Sequence, residues 1–349
     1  MTALPATMSE RGSDYAALVR QIRDARLLQR SRGRYAVRFA ATLTVNALAW
    51  WMVVSLQASW AVLVAAVVLG IVSTHWGFFG HDAGHQQIAA TRAGNRLAGL
   101  LAGNLLTGLS VGWWADKHNR HHANPNRVDH DPDIGEGLFA FTTAGAASRS
   151  GWLARAFTRN QARLFFPLLT FEGLNLHRAS VTWLLKNPGA KMRRTEAALL
   201  CVHAVAYLVA VGWLLPPLHA VCFIAVHQAV FGLYMGCSFA PNHKGMLIVG
   251  AHDKLDYLRR QVLTSRNVRG GWLIEQAFGG LNFQIEHHLF PSMPRANLRR
   301  ARTLVREHCA RHGIQYTETG LVASYALALG YLHNLGAPLR AAHAATQGA

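Results

Sequence analysis

The chain has 349 residues, enough for one large membrane domain or a sizeable soluble core. Hydrophobic residues make up 51% and charged residues 15%, against about 25% charged in ordinary soluble domains, so the composition leans towards a membrane. The net charge of +18 suits nucleic acid, an anionic membrane surface or an anionic substrate, and four cysteines without a CxxC pair indicate neither a zinc ribbon nor a disulfide framework.

From the N-terminus, MTALPATMSERGSDY is polar and lacks a signal-peptide core. Residues 16–38 carry Leu18, Val19, Ile22, Leu27 and Leu28 among arginines, the pattern of a basic helix lying on a membrane. Between Phe39 and Gly80 there is no Lys, Arg, Asp or Glu, and the same holds between Ala197 and Asn242. A spanning helix needs about 20 apolar residues, so each window fits two spans and a tight turn. Gln57–Ser59 and Pro216–Pro217 suit the turns, which predicts spans near 39–56, 60–80, 197–215 and 219–240. Residues 97–115 are uncharged but rich in Gly, Asn, Thr and Ser, and read as a re-entrant or surface segment with Trp113 and Trp114 at the interface. Residues 296–312 read as a basic helix, 319–335 as an interfacial one with a fifth span as the alternative, and the last dozen residues as disordered. All 35 Lys and Arg lie outside the two windows. The positive-inside rule then puts both termini and the middle segment in the cytoplasm, which explains the charge without nucleic acid.

Three histidine clusters follow the span ends. His81 and His85 stand at i and i+4, which share a helix face. His118, His121 and His122 repeat the spacing, and Gln284, His287 and His288 repeat it again with Gln in the first place. His243 lies at the end of the fourth span. Imidazoles suit Fe, Zn and Cu, and eight of them exceed what one tetrahedral zinc takes, so two metal ions are expected. The chain contains no Glu-x-x-His motif of the soluble di-iron bundles, so the site is built on histidine. Asp82, Asp116, Asp129, Asp131, Asp133, Glu172 and Glu286 lie in or near the clusters and are candidates to orient the imidazoles. His75, His203, His219 and His227 sit in or beside spans and are expected to be hydrogen-bonded inside the bundle, with His227 kept as a reserve site residue.

HDAGH (81–85), WWADKHNRHH (113–122) and QIEHH (284–288) resemble the three histidine boxes of the membrane fatty acid desaturases, and the likeness covers roughly residues 35–310. The Gln that opens the third box is similar to that of the front-end desaturases. Those usually carry a fused cytochrome b5 domain with an HPGG motif, which this sequence does not contain, so front-end regiochemistry stays open and a separate electron donor is expected.

The resemblance implies an all-α membrane protein with four transmembrane helices in two hairpins and a cytoplasmic helical cap holding a histidine-rich di-iron site. The expected parts are a basic N-terminal segment (1–38), hairpin one (39–80), a segment with boxes 1 and 2 (81–196), hairpin two (197–242) and a segment with box 3 (243–349). The resemblance makes His81, His85, His118, His121, His122, His287 and His288 both catalytic and iron-binding, and adds His243 and Gln284 as metal ligands. It implies two Fe ions, O2, a fatty acyl-CoA or acyl-lipid substrate, and electrons from a ferredoxin or similar donor with its NAD(P)H reductase. The Arg-heavy basic set points to a bacterial source and hence an inner-membrane, multi-pass location. The Gly-rich stretch 97–112 and the aromatics near Trp113 are candidates to line an acyl tunnel. A hydroxylase or ketolase on alkyl chains or carotenoids shares this metal architecture. A metal transporter would place its ligands within the spans near the midplane instead.

Overall fold

The structure, a computed structural model, describes residues 11–135 and 137–347. Helix α1 (Arg11–Asp24) is followed by the long helices α2 (Arg32–Leu56) and α3 (Val62–Gly84). Helix α4 (Arg92–Gly99) runs on as a π-helical stretch (Leu100–Thr107), and α5 (Val111–Ala123) turns away from it by 110°. Then come α6 (Thr143–Ala147), α7 (Trp152–Leu169), α8 (Glu172–Lys186), and the long pair α9 (Arg193–Leu214) and α10 (Pro217–His243). The last third holds α11 (Tyr257–Leu263), β1 (Asn267–Arg269), α12 (Trp272–Ala277), α13 (Gln284–Leu289), α14 (Arg295–Arg311), β2 (Glu318–Gly320), α15 (Leu321–Leu335) and α16 (Ala337–Gln347). β1 and β2 form a short parallel pair.

Helices α2, α3, α9 and α10 are long and apolar enough to cross a membrane. α2 and α9 lie outside, with Leu48, Trp51, Val205, Leu208 and Trp213 exposed. Such a surface is stable only against lipid. α3 is central and packs against both α2 and α10. Gly70 permits the α3–α10 contact, since a Cβ there would come within 2.8 Å of Val230. Each long helix extends past its charge-free window at one end. α2 begins at Arg32, and α3 carries box 1 in its last turn. Charge is excluded from the hydrocarbon but not from a helix whose ends reach the interface, where Arg side chains can snorkel.

Two expectations are corrected. Residues 16–38 do not form one helix on a membrane: α1 ends at Asp24, and residues from Arg32 belong to the first long helix. The apolar stripe of α1 is buried in protein. Leu18 and Ile22 join Leu258, Val262, Ile285 and Leu298 in the core of the cap, and Tyr15 donates to the Leu289 carbonyl at 2.8 Å. An amphipathic stripe is satisfied equally by lipid or by a folded apolar surface. The C-terminus through Gln347 is helical rather than disordered, with Arg340 of α16 donating to the Arg159 carbonyl on α7 at 3.1 Å. Residues 1–10 and 348–349, parts of the two expected terminal segments, lie outside the described residues.

α15, at 15 residues, is apolar but short. It packs on α7 and α10 and buries Ser324, Ala328 and Leu332.

Candidate metal centre

The clusters meet because four elements end at one place. His81 lies in the last turn of α3 and His85 caps it. His118, His121 and His122 lie on α5, His243 ends α10, and α13 carries Gln284, His287 and His288. Gly84 allows the first two elements to touch, since a Cβ there would overlap the Trp114 ring.

The imidazoles divide into two groups. Ligand atoms of His81, His85, His118 and His287 all lie within 4.8 Å of one another, and so do those of His121, His243 and His288. In the first group His81 Nε2 faces His287 Nε2 at 3.2 Å and His85 Nε2 faces His118 Nε2 at 3.0 Å. In the second, His121 Nε2 faces His243 Nε2 at 3.4 Å. His122 stands between the groups, with Nε2 3.0 Å from His118 Nε2 and its ring stacked on His288 at 4.2 Å. Gln284 Nε2 lies 2.9 Å from His243 Nε2. All of these residues are buried except His118, which is half-buried.

Four of the rings are held through Nδ1. His81 meets Asp82 at 3.2 Å, His121 meets Asp131 at 3.0 Å, His243 donates to the Thr264 carbonyl at 3.0 Å, and His288 donates to Gln261 Oε1 at 2.9 Å. A neutral imidazole has one N–H, so these four rings keep Nε2 bare. No proton is then available between His121 and His243, and the buried His288 Nε2 has no partner. Burial also holds His85, His118, His122, His287 and His288 well below their ordinary pKa, with neighbouring imidazoles adding to the effect. Buried, neutral, inward-facing lone pairs are what a cation needs and what a dry core would avoid. The donor set therefore fits two metal ions.

The supporting groups are only partly those expected. Asp82 accepts from Tyr35 at 2.8 Å and from Arg295 at 2.5 Å while it meets His81. Asp131 also accepts from the backbone of Asn126 at 2.7 Å and Asp133 at 2.9 Å. Burial would raise the Asp131 carboxyl, but His121 holds it below the usual carboxylate range. Asp133 pairs with Lys117 at 2.5 Å, with its second oxygen 3.5 Å from His121 Nδ1. Asp116 instead faces Arg120 and Trp183, Asp129 is exposed, and Glu286 turns to Asn267 and Tyr316 at 2.7 Å each. Sequence reasoning missed Gln261, the Thr264 carbonyl, Tyr35 and Arg295, which lie outside the boxes, far in sequence from the residues they meet, and carry no local signal.

The 110° break that aims α5 is clasped from α8 and α9. Glu196 accepts from Ser110 Oγ (2.7 Å), the Gly112 amide (3.1 Å) and Asn104 Nδ2 (3.2 Å). His177 and His203 donate through Nδ1 to the Gly108 and Leu105 carbonyls at 2.9 and 2.8 Å, groups freed where the π-helix ends. Of the other span histidines, His227 meets Tyr207 and Ser73, and His75 lies 3.4 Å from Tyr234, as expected; His219 departs from the expectation, since it stacks on Trp60 and its buried Nε2 has no hydrogen-bond partner.

A cavity of about 330 Å³ opens beside the cluster, with His81, His118, His121, His243 and Gln284 in its wall. The rest is mainly apolar, including Leu109, Trp113, Trp114, Leu169, Met235 and Phe239. Of the Gly-rich stretch 97–112 only Leu109 reaches it. Lys117, Asp133, Glu172 and Lys244 are its charged lining. The size lies in the range of small-molecule sites, about 300–1,000 Å³.

A family model described as fatty acid desaturase matches residues 58–320. The chain is 31% identical over 269 residues to Delta(8)-fatty-acid desaturase 2 of Arabidopsis thaliana, covering 74% of this chain and 60% of the relative. It is 30% identical over 343 residues to Delta(6)-fatty-acid desaturase fat-3 of Caenorhabditis elegans, covering 94% and 76%. It is 29% identical over 320 residues to an acyl-lipid (9-3)-desaturase of Physcomitrium patens, covering 88% and 58%. The matches thus span about 60% of the length of the Arabidopsis and Physcomitrium relatives.

Proposed function

The chain belongs to the fatty acid desaturase family, and from that premise we propose that it introduces a C=C bond into a fatty acyl chain carried on CoA or lipid. The observation that carries this is two groups of largely buried histidines, four of them with bare Nε2 atoms, beside an apolar cavity. His81, His85, His118 and His287 hold one iron, and His121, His243 and His288 the other. His122 stands between them, and Gln284 completes the second. Bound iron would supply O2-dependent removal of two hydrogens, with two electrons and two protons from outside, yielding the alkene and two waters.

The chain's own part is positioning and insulation. Asp82, Asp131, the Thr264 carbonyl and Gln261 fix four tautomers, so the lone pairs point inward. Trp113, Trp114 and Phe239 exclude water and hold the acyl chain beside His81 and His118. The electron donor is a separate ferredoxin-type protein, which meets the basic cytoplasmic face. The protein is integral to the membrane, with both termini and the site on the cytoplasmic side.

The test is a fatty-acid profile. The chain is expressed with a ferredoxin and its reductase in a bacterial host, beside His121→Ala. A new unsaturated acid in the wild type alone supports the reading. A hydroxylated or keto product would replace it with the hydroxylase alternative. Exchangeable zinc with no tightly held iron would replace it with transport.

A further inference from the structure

Two lysines line the cavity, and their surroundings differ. Lys117 is neutralised by Asp133, whose carboxylate lies 2.5 Å from its Nζ. Lys244 has no carboxylate oxygen within ion-pair distance among the described residues. Its Nζ donates one hydrogen bond, to the Asp133 backbone carbonyl at 2.9 Å, and sits 3.7 Å from the centre of the Phe141 ring. An ammonium has three N–H donors, and the carbonyl takes one. The acids in the same wall are engaged elsewhere: Asp133 by Lys117, and Glu172 by Asn175 Nδ2 at 3.2 Å. A half-buried cation with spare donors and no carboxylate in direct contact is better satisfied when a ligand supplies the acceptor.

The rest of the lining makes the choice of ligand narrow. Leu109, Leu176, Met235 and Phe239 offer no polar group, so the occupant is apolar along its length. Lys244 follows His243 directly, so the polar end of that occupant would lie close to the second histidine group.

We infer that Lys244 is the subsite for the oxygen-bearing end of the acyl substrate, its free N–H groups taking the acyl carbonyl oxygen. This rests on the reading that the cavity takes an acyl chain. It makes Lys244 a residue that sets which carbons lie beside the histidines.

The experiment uses the full-length, iron-loaded protein in detergent and two fluorescent probes, cis-parinaric acid and its methyl ester. Binding is read by energy transfer from tryptophan, since Trp113 and Trp114 line the cavity. Lys244→Met should weaken binding of the acid by about tenfold or more, the value of one charge-assisted hydrogen bond, while Lys244→Arg stays close to wild type. Weakening of both probes is expected, since each presents a carbonyl oxygen; weakening of the acid alone would mark a carboxylate site, which an acyl chain on CoA or lipid does not present, and overturns the inference. Iron content and melting temperature are measured alongside, and Lys244→Gln replaces the Met variant if that fails to accumulate. Wild-type affinity for both probes in Lys244→Met, or no binding of either probe to the wild type, overturns the inference. The fatty-acid profile above is separate: a wild type that desaturates while Lys244→Met binds normally removes the lysine's role and leaves the desaturase reading standing.

Discussion

Replacing Asp131 by Asn isolates what one supporting carboxylate does. Asp131 accepts from His121 Nδ1 at 3.0 Å and from the amides of Asn126 and Asp133 at 2.7 and 2.9 Å. Asparagine has nearly the same shape but one acceptor oxygen and no charge. At least one of the three donors then meets an NH2 group and is left buried without a partner, at a cost of about 1–3 kcal/mol. The two bonds that survive lose their ionic character, for about another 1–2 kcal/mol. The functional effect is larger in kind. His121 loses the anionic acceptor that holds its proton on Nδ1, and its Nε2 becomes a poorer ligand. Loss of such a partner weakens metal binding by about 10–100-fold. The assay is iron retention during titration with a chelator, read by elemental analysis. Asp129→Asn serves as control, because it removes the same charge two residues away at an exposed position. Iron retention in Asp131→Asn equal to that of the control would falsify the assignment of Asp131 as the orienting group.

Other outcomes follow from the same geometry. Glu196→Ala orphans three donors on the two sides of the break before α5, two of them buried, so thermal stability should fall by several kcal/mol, at about 1–3 kcal/mol per buried donor, with Glu196→Gln intermediate. Melting curves check this, and an unshifted midpoint would remove the clasp from the account. Gln284→His should change product yield while membrane accumulation and melting stay near wild type, since the side chain meets His243 and Asn242 at the site. Burial pushes the Glu286 carboxyl up to about 7. A raised acid is protonated more readily in the folded state, so its contribution to stability is present below the ordinary carboxylate range and is lost as pH rises through about 7. Glu286→Gln should flatten that part of the stability–pH curve, and an unchanged slope would refute it. His121→Ala should abolish unsaturated product while the protein remains in the membrane, as quantitative blotting and lipid profiles can show together.

Much of this was legible in one dimension, for definite reasons. A bilayer excludes charge uniformly, so the charge-free windows at 39–80 and 197–242 announce long apolar helices without knowledge of packing. Helical periodicity likewise puts His118, His121 and His122 on one face wherever α5 goes. Neither signal marks where a helix starts in the interface, which is why α2 reaches back to Arg32. Nor does amphipathicity say what covers a stripe, which is why α1 sits on the cap core and not on lipid.

Only the tertiary structure decided how the boxes are shared out. By sequence His118 and His121 belong together, and so do His287 and His288. In space His118 and His287 join His81 and His85, while His121 and His288 join His243. One face of a short helix is wide enough to serve two centres, and which residue serves which depends on elements that arrive from far along the chain. The same is true of the Thr264 carbonyl, Gln261, Arg295 and Glu196. A backbone carbonyl has no residue identity to read, and a lone Gln or Glu acquires a role only when folding sets it against a ring nitrogen or a broken helix end.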